Sequence, residues 1–114
     1  MRLLFAFVLF VSVASAQQLD HARKLVKNLR QDCVAAERLA VAVDANDFSH
    51  VKTNDNVAAG YCEGFIAGFI VGTNHQPIQY SRHTYRAIVA YIDEHPNELD
   101  LRKILSAALK DDAE

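Results

Sequence analysis

The sequence predicts an all-α protein, a small bundle of about four helices with one disulfide linking helices 1 and 2. Three observations lead there. Apolar residues recur at spacings of three and four, no strand-like alternation occurs, and the two cysteines, Cys33 and Cys62, fall in the first and second helical segments. With 114 residues the chain has room for one domain.

The first residues have the pattern of an export signal. Arg2 gives a positive start, Leu3 to Val13 is apolar apart from Ser12, and Ala14-Ser15-Ala16 supplies small residues in an A-x-A arrangement. Residues 1–16 therefore predict a secretory signal peptide, cleaved after Ala16. A buried N-terminal helix is the alternative, and the apolar run is short for a permanent anchor. The domain expected to remain is 17–114. Without Arg2, 11 Lys and Arg face 14 Asp and Glu, a formal charge of −3. That balance argues against nucleic acid, which needs a basic footprint. Two cysteines in an exported chain read as one disulfide, with a pair of buried thiols as the alternative. The bridge would close a loop of about 30 residues, worth roughly 3–4 kcal/mol by the chain-entropy argument.

The first amphipathic helix is predicted from about Leu19 to Val43. Leu19, Ala22, Val26, Leu29, Cys33, Ala36, Ala40 and Val43 form its apolar stripe. Asp44 to Asn56 is a loop, rich in Asp, Asn, Ser and Thr, which compete for local backbone bonds. Phe48 and Val51 are expected to pin it to the bundle.

A second helix begins near Asn54–Asn56, any of which can cap it, and runs to about Thr73. All four glycines of the chain, Gly60, Gly64, Gly68 and Gly72, lie four apart on it. Residues so spaced share a face. Each interior Gly costs a helix roughly 1 kcal/mol relative to Ala. A helix-packing role follows, in which a neighbouring helix approaches the bare backbone closely. Gly-xxx-Gly is also a membrane-helix motif. Against a span, the apolar stretch Val57–Val71 is shorter than the roughly 20 residues required and carries Glu63 near its middle. Glu63 is expected at the bundle edge or paired with Arg or Lys, the alternative being a buried acid with a raised pKa.

After a loop at Asn74–Tyr80 containing Pro77, Ser81 is the expected N-cap of a third helix from Arg82 to about His95. Tyr85, Ile88, Val89 and Ile92 form its stripe, and Pro96 ends it. Asn97 is expected to cap a fourth helix ending near Lys110. The tail Asp111 to Glu114 is acidic. Tyr80, Arg82, His83 and Tyr85 make an aromatic and polar patch at the start of helix 3.

Catalytic and metal signatures are weak. The histidines His21, His50, His75, His83 and His95 show no zinc-type spacing. No G-x-S-x-G surrounds a serine, and a disulfide would remove both cysteines as nucleophiles. The residues thus point to a binding protein, not an enzyme, with no metal and no cofactor.

The segment Gly60-Tyr61-Cys62-Glu63-Gly64-Phe65-Ile66-Ala67-Gly68-Phe69 resembles the C-x-G-[YF]-[IV]-x-G core of the Tai-type immunity proteins. These neutralise peptidoglycan amidase effectors delivered by bacterial type VI secretion. The order of parts is similar too: an exported leader, a helix with Leu29 four residues before Cys33, a loop with Pro77, the run Glu94-His95-Pro96-Asn97 and the ending Ala107-Ala108-Leu109. The chain departs from relatives that carry a second cysteine pair, since Gln76 precedes Pro77 and no cysteine ends it. Only the Cys33–Cys62 bridge carries over. The resemblance implies a periplasmic homodimer, formed through helix faces, that blocks a Cys/His active site without reacting. The loops would enter the amidase groove, with Asp47, Phe48, His75, Gln76 and Tyr80 as candidate partner-binding residues. A periplasmic stress chaperone, for which five histidines and an acidic tail leave room, or an envelope adaptor is the alternative.

Overall fold

A computed structural model describes residues 2–73 and 80–110, with side chains from residue 16 onward. Four helices make up the described fold: α1 (Arg2–Ala45), α2 (Asp55–Gly72), α3 (Arg82–Glu94) and α4 (Leu101–Lys110). No strand occurs among the described residues. The acidic tail lies outside them.

α1 is longer than its apolar stripe. No Gly or Pro interrupts residues 2–45, so nothing local stops the helix. Among the residues whose side chains are described, Ala16 to His21 are exposed and Val26 is the first buried one. The stripe drawn from Leu19 to Val43 is correct only in its middle, for both of those end residues are exposed. Val26, Leu29, Cys33 and Ala36 reach the core, where they meet Ala59, Cys62 and Ile66 of α2 and Ile88 and Ile92 of α3.

α1 ends in a Schellman turn. Asn46 takes the left-handed conformation (φ 52°). Its N–H donates to Val43 O at 3.2 Å and that of Asp47 to Ala42 O at 3.0 Å. These bonds satisfy carbonyls that the last helical turn leaves open.

α2 begins where expected, with Asn54 in the cap position, though its side chain makes no cap bond. Asp55, one residue on, reaches back and accepts the Lys52 backbone N–H at 2.7 Å, closing the loop before the helix. One helix start differs from expectation in the residue that caps it. At α4 the cap is Asp100, not Asn97. Its Oδ1 accepts from Arg102 N–H at 3.0 Å, and its carbonyl from Ile104 N–H at 3.1 Å. Three residues separate Asn97 from the first helical residue, beyond the reach of a cap. Ser81 does start α3, its N–H donating to Thr84 Oγ1 at 3.3 Å.

The disulfide joins Cys33 of α1 to Cys62 of α2, with Cα atoms 5.1 Å apart and both residues fully buried. Around it, cross-links fix the directions of the helices. Arg38 pairs with Asp55 just above the disulfide, while Arg30 pairs with Asp93 and Glu37 with Arg86. Higher numbers on α1 face lower numbers on each partner. α2 and α3 therefore both run antiparallel to α1 and parallel to each other. α4 leans mainly on α3, leaving an open groove toward α2.

Candidate functional site

The parallel course of α2 and α3 has a consequence for the candidate residues. It sets Tyr80, just before α3, at the same end of the bundle as Asp47 and Phe48, between α1 and α2. Tyr80 and the described loop between α1 and α2 thus meet at one end of a stapled helix pair. His75 and Gln76 lie outside the described residues.

Within that end the candidates behave differently. Phe48 stands 54% exposed, so it does not pin its loop. Val51, half-buried, does so partly, and its N–H donates to Phe48 O at 3.1 Å. Asp47 accepts the Ser49 N–H at 3.0 Å, a local turn that competes well with extended backbone. Bonds from the Ser49 hydroxyl and N–H hold the Asp47 carboxyl below the usual carboxylate range. Tyr80 is half-buried and packs against the core, so it offers an edge and not a protruding anchor.

Near the same loop a hollow of about 310 Å³ runs along α1, lined by Val34, Glu37, Arg38, Val41, Ala42 and Ala45 and closed by Asp47 and His50 from the loop. Val43, also exposed, adds apolar surface one turn before the Schellman cap. Exposed Phe48, exposed Val43 and the Asp47 carboxylate thus lie close in sequence at one end of the stapled pair. Such a set suits protein recognition, where buried aromatic anchors carry most of the energy.

The patch expected at the start of α3 divides. Arg82 and His83 are exposed, but Tyr85 is buried. Its hydroxyl donates to Glu63 Oε1 on α2 at 3.0 Å. Burial first, then the Glu63 contact, push the phenol well above its ordinary value. Glu63 thus sits at the bundle edge as expected, but its partner is a tyrosine and not a cation.

The glycine row also requires correction. All four glycines are exposed, and a Cβ built on any of them meets no heavy atom within 4 Å. No described helix of the chain fills the row. The reason is rotational: the buried residues Asp55, Ala59, Cys62 and Ile66 turn one face of α2 inward, and the glycines occupy the opposite side.

Other polar groups tie helices together. The Arg30 guanidinium makes two bonds to Asp93, at 2.7 and 3.1 Å, and holds that carboxyl below the usual range. Among the described carboxyls with displaced ionisation, Asp32 alone is pushed upward, by partial burial. It lines a hollow with Arg30, Arg38 and Lys52, but both arginines are already bonded to other acids. No group of three metal-ligating side chains occurs among the described residues. No helix among them is long and apolar enough to cross a membrane.

Sequence reasoning missed Val41, Val43 and His50 as parts of this end. The exposed position of Val43 follows from α1 outrunning its partners, which periodicity does not reveal. No family model, curated protein or solved structure matches the chain.

Proposed function

We infer that this chain is an exported binding protein of the immunity type, which inhibits a peptidoglycan amidase effector of type VI secretion by occluding its active site. The observation that carries this reading is the placement of Phe48. A large aromatic is held in solvent by a turn fixed at both sides, on helices stapled by a disulfide. Preorganisation of this sort lowers the ordering cost of association. The glycine–cysteine core and the order of segments supply the partner class. The core begins at Val26, so loss of residues 1–16 after export removes none of its described members. The disulfide suits an oxidising compartment such as the periplasm. The exposed start of α2, with Val57 and Tyr61, is the surface on which the homodimer would form.

The test is inhibition of a cell-wall amidase encoded next to this chain. Purified protein should form a stoichiometric complex and abolish turnover, while F48A weakens binding at least about tenfold and folds normally. Full amidase activity in excess protein would overturn the assignment.

A second reading, a periplasmic acid-stress chaperone, has one observation in its favour. Three interhelical ion pairs depend on carboxylates, Glu37, Asp55 and Asp93, that strong acid would neutralise. Suppression of client aggregation at low pH, across unrelated clients, would favour it over the immunity role.

A further inference from the structure

We propose that the groove between α2 and α4 is a second docking surface, fitted to a partner's amphipathic helix that carries acidic residues beside its apolar stripe. This goes beyond the immunity reading and does not rest on it.

The groove consists of two adjoining hollows of about 290 and 620 Å³ that share Phe69, Thr73 and Arg102. Its floor is apolar: Phe65 and Phe69 of α2 face Leu101 and Leu105 of α4, and Tyr91 of α3 continues it. One wall is Gly64, Gly68 and Gly72, where no side chain stands. A helix laid there can approach the α2 backbone at the short end of the 8–10 Å range for packed helices.

Charge selects the occupant. Arg102, Lys103 and Lys110 rim the larger hollow, and among the described residues no carboxylate lines either one. The chain is acidic overall, and Arg30, Arg38 and Arg86 each bond a carboxylate across helices. None of the three groove cations does so among the described residues. The described acids nearest in sequence to Arg102 and Lys103 are engaged elsewhere, Glu98 with Asp100 N–H and Asp100 with Arg102 N–H. Lys103 and Lys110 are seven residues apart, hence on one side of α4 and about 10.5 Å apart along it. Acids at the same interval on a partner helix would meet both. An apolar floor with a cationic rim thus calls for an apolar stripe with an anionic flank.

The experiment uses the purified chain and two designed helical peptides of about 18 residues. They share a Leu/Ala stripe and differ only in flanking residues, Glu in one and Lys in the other. Vesicles of phosphatidylglycerol are the third probe. The Glu peptide should bind, shift the amide resonances of Gly64, Gly68 and Gly72, and weaken as salt rises. K103E/K110E should reduce its affinity at least about tenfold. G68L should block it sterically while the fold is retained, and this variant decides the matter if the charge reversal does not fold. Equal binding of the Lys peptide, shifts confined to other amides, or binding of vesicles but not of the Glu peptide would overturn the proposal. Groove resonances that move on dilution of the protein alone would also overturn it, because a second copy would then be the occupant.

Discussion

Arg38 on α1 donates to Asp55 at the head of α2 across 2.8 Å, and the same carboxylate accepts the Lys52 backbone N–H at 2.7 Å. One side chain thus closes the α1–α2 turn from both sides. The Lys52 N–H is the main reason that the Asp55 carboxyl is held below the usual range, with Arg38 adding to it. A depressed native pKa contributes stability that is complete above the unfolded value, about 4, and is lost as pH falls through the native one. The urea midpoint should therefore decline below pH about 4. D55N should be less stable near neutrality and should show a shallower acid decline. An unchanged acid limb in D55N would show that other carboxylates, Asp93 among them, govern it.

The disulfide supplies the next prediction. It joins residues 29 apart in sequence, and both sulfurs are shielded from solvent. C33A/C62A should lose about 3–4 kcal/mol, since the unfolded chain regains the entropy of the open loop. Urea unfolding of the double variant, beside the parent with and without reductant, measures this. Thiol titration of the unfolded, unreduced parent should find no free sulfur.

Asn46 holds a left-handed backbone, φ 52°, at the end of α1. Glycine adopts that conformation without a Cβ clash. N46G should raise stability by about 0.5–1 kcal/mol, and the β-branched N46V should lower it by about 1–2 kcal/mol. Thermal melts rank the three proteins. A neutral N46V would mean that the turn relaxes to another conformation.

The exposed glycines of α2 permit an opposite substitution. Each has an ordinary backbone, since no glycine has a positive φ, and open space where a Cβ would sit. G64A and G68A should each stabilise the monomer by about 0.5–1 kcal/mol. If the row seats a partner helix, bulkier side chains there should weaken that binding while the fold is retained.

Tyr85 is buried, with its hydroxyl on Glu63. Its native pKa lies above the ordinary value of about 10. A raised pKa means that stability is complete below the unfolded value and is lost as pH rises toward the native one. Absorbance near 295 nm should show a phenol that ionises only with alkaline unfolding. Y85F should abolish that late step and cost about 0.5–1.5 kcal/mol, the ordinary worth of one hydrogen bond.

Much of the helix content was legible because it depends on neighbours in the chain. Spacing of three and four gave α3 nearly to the residue, and Pro96 marked its end. Ser81 announced a cap, since a short hydroxyl side chain next to a helix has little else to bond. Asp55 and Asp100 were harder to place, because several Asp and Asn residues stood close together and only the helix direction decides which one reaches a free N–H. At the candidate site, Asp47 and Phe48 were legible as loop residues. The outward aim of Phe48 was not, because it depends on how the turn meets the bundle.

The sequence by itself determined that the chain is helical, where three of the four helices lie, and that its cysteines sit on adjacent segments. Those properties follow from local periodicity and from covalent chemistry. Only the tertiary structure decided that α2 and α3 run parallel, that the glycines face away from the core, and that Tyr80 reaches the end bearing Phe48. Each of these depends on the rotation and direction of whole helices. Those are set by contacts such as Cys33–Cys62, Arg30–Asp93 and Tyr85–Glu63 between residues far apart in the chain.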